Sequence, residues 1–446
     1  MSNDTDLRQT IGGDMPRIRD ELERLVRIPS VSADGYDPSE VRRSAKASAE
    51  ILDAAGLQDT RLLEIQGAHH AVFGEARGPD DSPTVILYAH HDVQPTGPEH
   101  LWDTDPFEPV EKEGRLYGRG ASDDKCGVAM HAAVLRAFGG RPPVGVKVLI
   151  EGEEEIGSAH LAGFLSEYGD ALGADVVIVA DSGVWKVGVP GITTSLRGLV
   201  DCVVEVRTLD HAVHSGMYGG PVVDAVTALS RLVATLHDDR GNVAIAGLAS
   251  GSEPPVDLTE EEYRAEAGVT DGVQLVGEGG ITERLWMKPS VGVLGLDAPS
   301  VQTATNQLIP SARAKVSLRL APGDDPERAM DALVGHLESN APWGARVSVT
   351  RGAGGRPFQL KADGPAFDAA RRAFKEVWGT DPVEMGTGGS IPLVAALADR
   401  YPDAQVLLTG AADPDCRAHS ENESADLGEL ERSAAGEALF LHHLAG

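Results

Sequence analysis

Three short apolar runs in this chain each stop at ionisable residues. Thr84 to Ala89 (TVILYA) gives way to His90, His91 and Asp92. Val144, Val146, Val148 and Ile150 alternate with other residues, and Glu151, Glu153, Glu154 and Glu155 follow. Asp175 to Asp181 (DVVIVAD) ends in a carboxylate. Apolar runs of this length predict buried strands. Strands that all deliver polar groups at their C-terminal ends predict an α/β sheet with a site along one edge. Between the first two, Val128, Ala132 and Leu135 fall at i, i+4 and i+7 and predict a helix after Asp124. A helical pattern returns at Phe367, Ala370, Phe374 and Val377. A strand at Gln405 to Gly410 and a terminal helix from Ala425 complete this part.

The middle of the chain has another rhythm. Ser195 to Thr208 predicts one long strand with mixed faces. Val222, Val226, Leu229, Val233 and Leu236 predict an amphipathic helix that starts near Pro221. Arg240 to Pro289 is polar and Gly-rich, and predicts a surface excursion with a short helix around Leu258 to Ala267. Ala314, Val316, Leu318 and Leu320 alternate with Arg313, Lys315, Ser317 and Arg319, as in a half-exposed antiparallel strand. The fold class expected is therefore α/β. A domain with a mixed, mostly parallel sheet flanked by helices (residues 1–191 and 362–446) is interrupted by an inserted α+β domain (192–361). A chain of 446 residues is long enough for two or three domains.

Charge narrows the partners. Lys and Arg number 39 against 69 Asp and Glu, a formal net charge of -30. Such a surface repels phosphate backbones and anionic membranes, so neither a nucleic acid nor a membrane is expected as partner. The N-terminus lacks an apolar stretch of the signal-peptide type. Cys126, Cys202 and Cys416 are too few for a disulfide framework. Both features predict a reducing compartment, the cytoplasm.

The ionisable residues at the strand ends are candidate metal ligands. His90 and Asp92 are two apart at a strand end and so point the same way. One can ligate while the other orients it. Asp123 and Asp124 lie in the Gly-flanked turn GRGASDDKCG, where Ser122 or Asp123 could equally cap a helix. Four acids in five residues of EGEEEIGS repel one another unless cations compensate. Asp181 and His419 (in CRAHSEN) complete an order of His, Asp, Glu-Glu, Asp, His. Each residue alone is also what a surface turn or helix cap holds. Together, two imidazoles and three carboxylates without a thiolate suit a pair of zinc or manganese ions.

The stretches YAHHDVQP (88–95), LYGRGASDDKCG (116–127), EGEEEIGS (151–158), VVIVADSG (176–183), HSGMYGG (214–220), GTGGSIP (386–392) and AHSENE (418–423) span most of the chain. In this order they resemble the dinuclear-zinc metallopeptidase family of carnosinase-type dipeptidases, aminoacylase and succinyl-diaminopimelate desuccinylase. The forms HHDVQP, DDKCG and HSGMYGG are most similar to the dipeptidase branch.

The resemblance implies that His90 and Asp181 hold one divalent ion and Glu155 and His419 the other, with Asp123 between them. Zinc is the implied metal, with manganese or cobalt as substitutes. It further implies that Asp92 orients His90 and that Glu154 is the general base. His214, on the inserted lid domain, would reach the developing oxyanion in the partner subunit of a homodimer. Arg319, Asn306, Gly389 and Ser390 would grip the substrate's carboxylate and backbone. Ala89 stands where the family has Gly, and His91 where it has Tyr or Leu. His91 should point away from the ligands, and His211 lies close enough to His214 to blur the register there. The implied activity is hydrolysis of small peptides with a free C-terminal carboxylate. An N-acyl-amino-acid amidohydrolase is the alternative within the family. A metal-binding protein without activity would need a lost ligand or a lost Glu154, and none is lost. A nucleophilic hydrolase is disfavoured, because Ser390 lacks a Gly-x-Ser-x-Gly elbow.

Overall fold

In the computed structural model, which describes residues 2–389 and 391–446, strand Thr84–His90 lies in the middle of a mixed sheet. Val85, Ile86, Leu87, Tyr88 and Ala89 are all fully buried. Each large apolar side chain so placed stabilises the fold by about 1.5–3 kcal/mol. An unpaired charge in such a stretch would be costly, so ionisable groups wait for the strand's end. The neighbours Gly145–Glu151 and Val176–Val179 run parallel to it, and Gln405–Leu408 runs parallel to Val176–Val179. Antiparallel strands Ala71–Ala76 and Gln58–Leu63 extend one side, and Gly191–Leu196 the other.

The chain divides into two compact units. One takes in the chain up to Thr194, Leu360–Met385 and everything from Ile391 onward; the other takes in Ser195–Gln359 and a short stretch that begins at Gly386. In the first, helix Lys125–Ala137 packs on Thr84–His90 and on helices Ser2–Val26 and Leu427–Leu444. It is buried on nearly every side, which its Ala and Gly content permits. Lys125 at its start donates to the carbonyls of Leu25 and Ile28 at 2.9 and 2.7 Å. Both carbonyls lie at or just past the end of helix Ser2–Val26 and also accept a backbone N–H, from Ile28 at 3.0 Å and from Ser30 at 2.8 Å, so the ammonium adds a second donor to each.

The second unit holds a four-stranded antiparallel sheet in the order Ser290–Asp297, Ser311–Leu320, Gly198–Arg207, Arg346–Gly355. Helices Ala225–Ala234 and Pro326–Ser339 cover its apolar face. Val200, Cys202, Val204 and Val206 meet Ala314, Val316, Leu229 and Leu333 there.

Three sequence expectations change in detail. The single strand over Ser195 to Thr208 is two strands, Gly191–Leu196 and Gly198–Arg207, parted at Arg197. The amphipathic helix begins at Ala225 rather than near Pro221, because Asp224 caps it by accepting from Thr227 N at 2.9 Å. The excursion is not all surface: Trp286 and Met287 are buried. No helix among the described residues is long and apolar enough to cross a membrane.

Candidate metal centre

The strand ends of the first unit bring the expected ligands together. His90 closes its strand and pairs in register with Glu151, while Asp181 follows Val176–Val179. His90, Asp123 and Asp181 each offer one ligand atom, as do Asp123, Glu155 and His419, with the atoms of each group within 4.8 Å of one another. Asp123 belongs to both groups. Its Oδ1 lies 3.0 Å from His90 Nε2 and its Oδ2 2.9 Å from His419 Nε2. His419 Nε2 is also 3.1 Å from Glu155 Oε2. One carboxylate thus faces two imidazoles with its two oxygens, the disposition a bridging ligand needs. Neither Asp123 nor Asp124 caps the following helix with its side chain.

Charge is crowded at this centre. Burial opposes ionisation of Asp123, but hydrogen bonds from His419 and His90 hold its carboxyl far below the usual range. Burial would pull His90 down, yet Asp123, Asp92 and the charge of Asp181 raise it well above an ordinary histidine. Asp123 and then Glu155 lift His419 to about 11. Burial drives Asp181 and Glu154 the other way, well above an ordinary carboxyl, and surrounding acids add to the push. Two imidazoles do not offset so many carboxylates. Divalent cations would let all of them ionise together. The donor set is oxygen-rich, carries two imidazoles and has no thiolate, which fits a pair of zinc or manganese ions. Glu154 opens the turn Glu154–Ile156 and stays outside both ligand groups.

Other residues fix these groups in place. Asp92 Oδ2 accepts from Ser32 Oγ at 2.7 Å and from Glu155 N at 3.1 Å. His90 Nδ1 lies 3.1 Å from the Asp92 carbonyl and 3.5 Å from Asp92 Oδ1. Asp124 Oδ2 accepts from His90 N at 3.2 Å. Gln94 Nε2 donates to Glu155 Oε2 at 2.8 Å. Glu423, fully buried, accepts from the backbone N–H of Gly120, Ser122 and Asp123, each at 3.0 Å, and from Arg119 Nη1 at 2.6 Å. Glu153 accepts from His69 N at 2.8 Å and lies 2.9 Å from His160 Nδ1, which holds the acidic loop from behind. The sequence reading gave no role to Ser32, Gln94, Asp124, Glu153 or Glu423, although Glu423 ends the AHSENE stretch. His91 belongs to neither ligand group; its Nε2 lies 2.8 Å from the His70 carbonyl and against Gly152, where a Cβ would come within 2.8 Å.

The other candidates lie in the second unit. His214 is exposed and pairs with Gln307 in a short antiparallel bridge. The N–H and hydroxyl of Ser215 both donate to Asn306 O at 3.0 Å, so His214 and Asn306 are neighbours. His214 Nδ1 accepts from Gly216 N at 3.1 Å and caps the turn Ser215–Tyr218. The bridge falls on His214, not on His211, which is exposed in the preceding loop. Arg319 is half-buried, paired in register with Leu199 and Ser290. Gly389 is exposed. Ser390 lies outside the described residues.

Known proteins share this arrangement of sequence and fold. The chain is 35% identical over 451 residues to the cysteinylglycine-S-conjugate dipeptidase of Corynebacterium striatum, covering 99% of each. It is 30% identical over 430 residues to the human beta-Ala-His dipeptidase, covering 92% of this chain and 82% of that protein. Among solved structures, the di-peptidase Dug1p of Saccharomyces cerevisiae is similar with a TM-score of 0.87 at 26% identity, over 100% of this chain and 99% of that one. Human carnosine dipeptidase 1 gives a TM-score of 0.85 at 26% identity, over 99% and 98%. The family model for peptidase family M20/M25/M40 matches residues 86–443. The chain belongs to peptidase family M20/M25/M40.

Proposed function

We propose that this chain is a metal-dependent peptidase that hydrolyses the amide bond of dipeptides and other small peptides with a free C-terminal carboxylate. The observation that carries the reading is Asp123, whose two oxygens face His90 on one side and His419 on the other. The dipeptidases to which the chain is similar support the substrate class. His90 and Asp181 would hold one ion, Glu155 and His419 the other, and Asp123 both. The metal pair, zinc first and manganese or cobalt as substitutes, would supply a lowered water pKa and a polarised carbonyl.

The chain's own residues do the rest. Glu154 takes the proton of the attacking water and returns it to the leaving amine, a role open to a carboxylate that stands beside both ligand groups and belongs to neither. Asp92 orients His90. His214 donates to the developing oxyanion. Arg319 pairs bidentately with the substrate carboxylate, with Asn306, Gly389 and Ser390 along the substrate backbone.

We also infer that the protein is a cytoplasmic homodimer. Strand Ser290–Asp297 is a sheet edge whose Val293, Leu294 and Leu296 are 46%, 67% and 56% exposed. A second copy covering that edge would satisfy its free backbone groups and bury these side chains. Cys126, Cys202 and Cys416 are all free thiols, in keeping with a reducing compartment. The test of the reaction is amine release from a panel of dipeptides and N-acyl amino acids by zinc- or manganese-loaded protein. Turnover of dipeptides is expected; turnover of N-acyl amino acids alone would replace this reading with the amidohydrolase one.

A further inference from the structure

Arg197, where strand Gly191–Leu196 gives way to Gly198–Arg207, is only 8% exposed. Its Nη1 donates to Ser290 Oγ at 3.0 Å and lies 3.5 Å from the Lys288 carbonyl. Its Nε is buried without a hydrogen-bond partner, and no carboxylate among the described residues pairs with the guanidinium. A second cation is close: Ser290, which accepts from Arg197, is the register partner of Arg319 on the neighbouring strand, and burial and then the charge of Arg319 bring Arg197 down to about 10. Burial also lowers Arg319. Two guanidiniums near each other, neither matched by an acid among the described residues, are unfavourable until an anion joins them.

The surroundings leave room for that anion. A Cβ on Gly388 would lie 3.0 Å from Arg197 Nη2, so glycine keeps this face of the fork open. The excursion backs the site: Trp286 packs against Gly386, and Met287 Sδ lies 4.0 Å from Ser195 Oγ. A carboxylate has lone pairs for two forks, and charge-assisted pairing to both is stronger than to one.

We propose that Arg197 is a second binding residue for the substrate's C-terminal carboxylate, forming with Arg319 a two-guanidinium cradle beside Gly388. The proposal rests on the dipeptidase reading and adds to it a device for selecting length. A peptide that continues, or ends in an amide, would present a neutral group to two half-desolvated cations.

The test uses the zinc-loaded full chain and two substrates, alanylglycine and alanylglycinamide, with KM and kcat measured separately. Arg197→Gln should raise KM for alanylglycine about 30-fold, as expected for a lost charged hydrogen bond, and shift kcat much less. The loss on the amide should be much smaller, so the preference for the free carboxylate collapses. Arg197→Lys, which keeps the charge but not the fork, should fall between parent and Gln. It carries the same test if the Gln variant does not fold. Equal losses on both substrates would make Arg197 structural and overturn the proposal. Arg319→Gln run in parallel separates the two layers. If it abolishes the preference and Arg197→Gln does not, the assignment of Arg197 fails while the dipeptidase reading stands. If neither variant changes the preference, the carboxylate reading fails with it.

Discussion

The two units hold their candidate residues in opposite ways. In the first, three of the candidate ligands are held by other groups: His90 by Asp92 and Asp124, Glu155 by Gln94, and Asp123 by the bond from its backbone N–H to Glu423. In the second, His214 and Asn306 are exposed and joined through one short bridge, and Arg319 is half-buried. Crowded buried charges cannot be removed singly, since each neutralises a neighbour. Exposed substrate-facing groups can. The candidate ligands of the first unit and the groups that hold them should therefore respond to mutation through metal content and stability together, and the exposed candidates of the second unit through kinetics alone.

The largest expected effects separate holding metal from using it. Asp123→Ala should lose both ions together, because one carboxylate serves both groups, and with them all measurable turnover. Glu154→Gln should keep both ions and lose about 10⁴-fold in turnover, because an amide packs in the same place but cannot take a proton. Metal analysis and rate on the same sample decide both. Glu154→Gln activity within tenfold of the parent would sink the base assignment.

Complementation comes next, and asks whether His214 serves its own chain or the partner. His214→Ala and Glu154→Ala should each be nearly inactive. After mixing, dissociation and reassociation, about half the dimers are hetero, and each has one competent site of two. Activity should then recover to roughly a quarter of the parent. Confirmed subunit exchange without recovery would confine His214 to its own subunit.

A smaller effect tests the contrast itself. Glu423→Gln should weaken metal binding about 10- to 100-fold, as loss of an outer partner does, and lower the melting temperature because buried Arg119 loses its counter-charge. Asn306→Ala should leave metal content and melting temperature unchanged and raise KM only. If Asn306→Ala is as destabilising as Glu423→Gln, the distinction between the units is wrong.

The same contrast explains what could be read from the sequence. Three candidate ligands were legible because a buried strand announces its own end: His90 closes one, and Glu155 and Asp181 come within four residues after two others, whereas Asp123 and His419 have no such marker. Glu423 was not, because it acts on the backbone of Gly120 to Asp123, about 300 residues away in the chain. Arg197 was hidden by the apparent continuity of Ser195 to Thr208, since strand-like residues flank it on both sides. The helix start was misplaced because Val222 continues the apolar period, whereas the cap at Asp224 decides where the helix begins; Val222 is 38% exposed. His214 carries no periodic signal of its own, and the alternation around Arg319 marks only the outer face of a strand, so the roles of both came from the resemblance.

The smallest expected effect concerns His91, the histidine beside the ligands that takes no part in them. Burial, first among its influences, pulls it from 6.5 to about 4, although nearby Asp92 works against this. Above about pH 6.5 the imidazole is neutral in both the folded and unfolded chains, and its contribution is complete. As pH falls below that value, the unfolded chain takes up a proton that the folded one refuses, so stability is lost down to about pH 4. From pH 6.5 to pH 5 this amounts to about 2 kcal/mol. Glutamine at this position can still donate to the His70 carbonyl, and it does not titrate. Urea unfolding of the parent and of His91→Gln, both with chelator so that metal release does not contribute, should be compared at pH 7.5 and pH 5. The variant should gain on the parent by about 2 kcal/mol at the lower pH. A stability difference between the two proteins that is the same at both values would mean that His91 takes up its proton in the folded chain, and that its side chain is wetter than its burial against Gly152 implies.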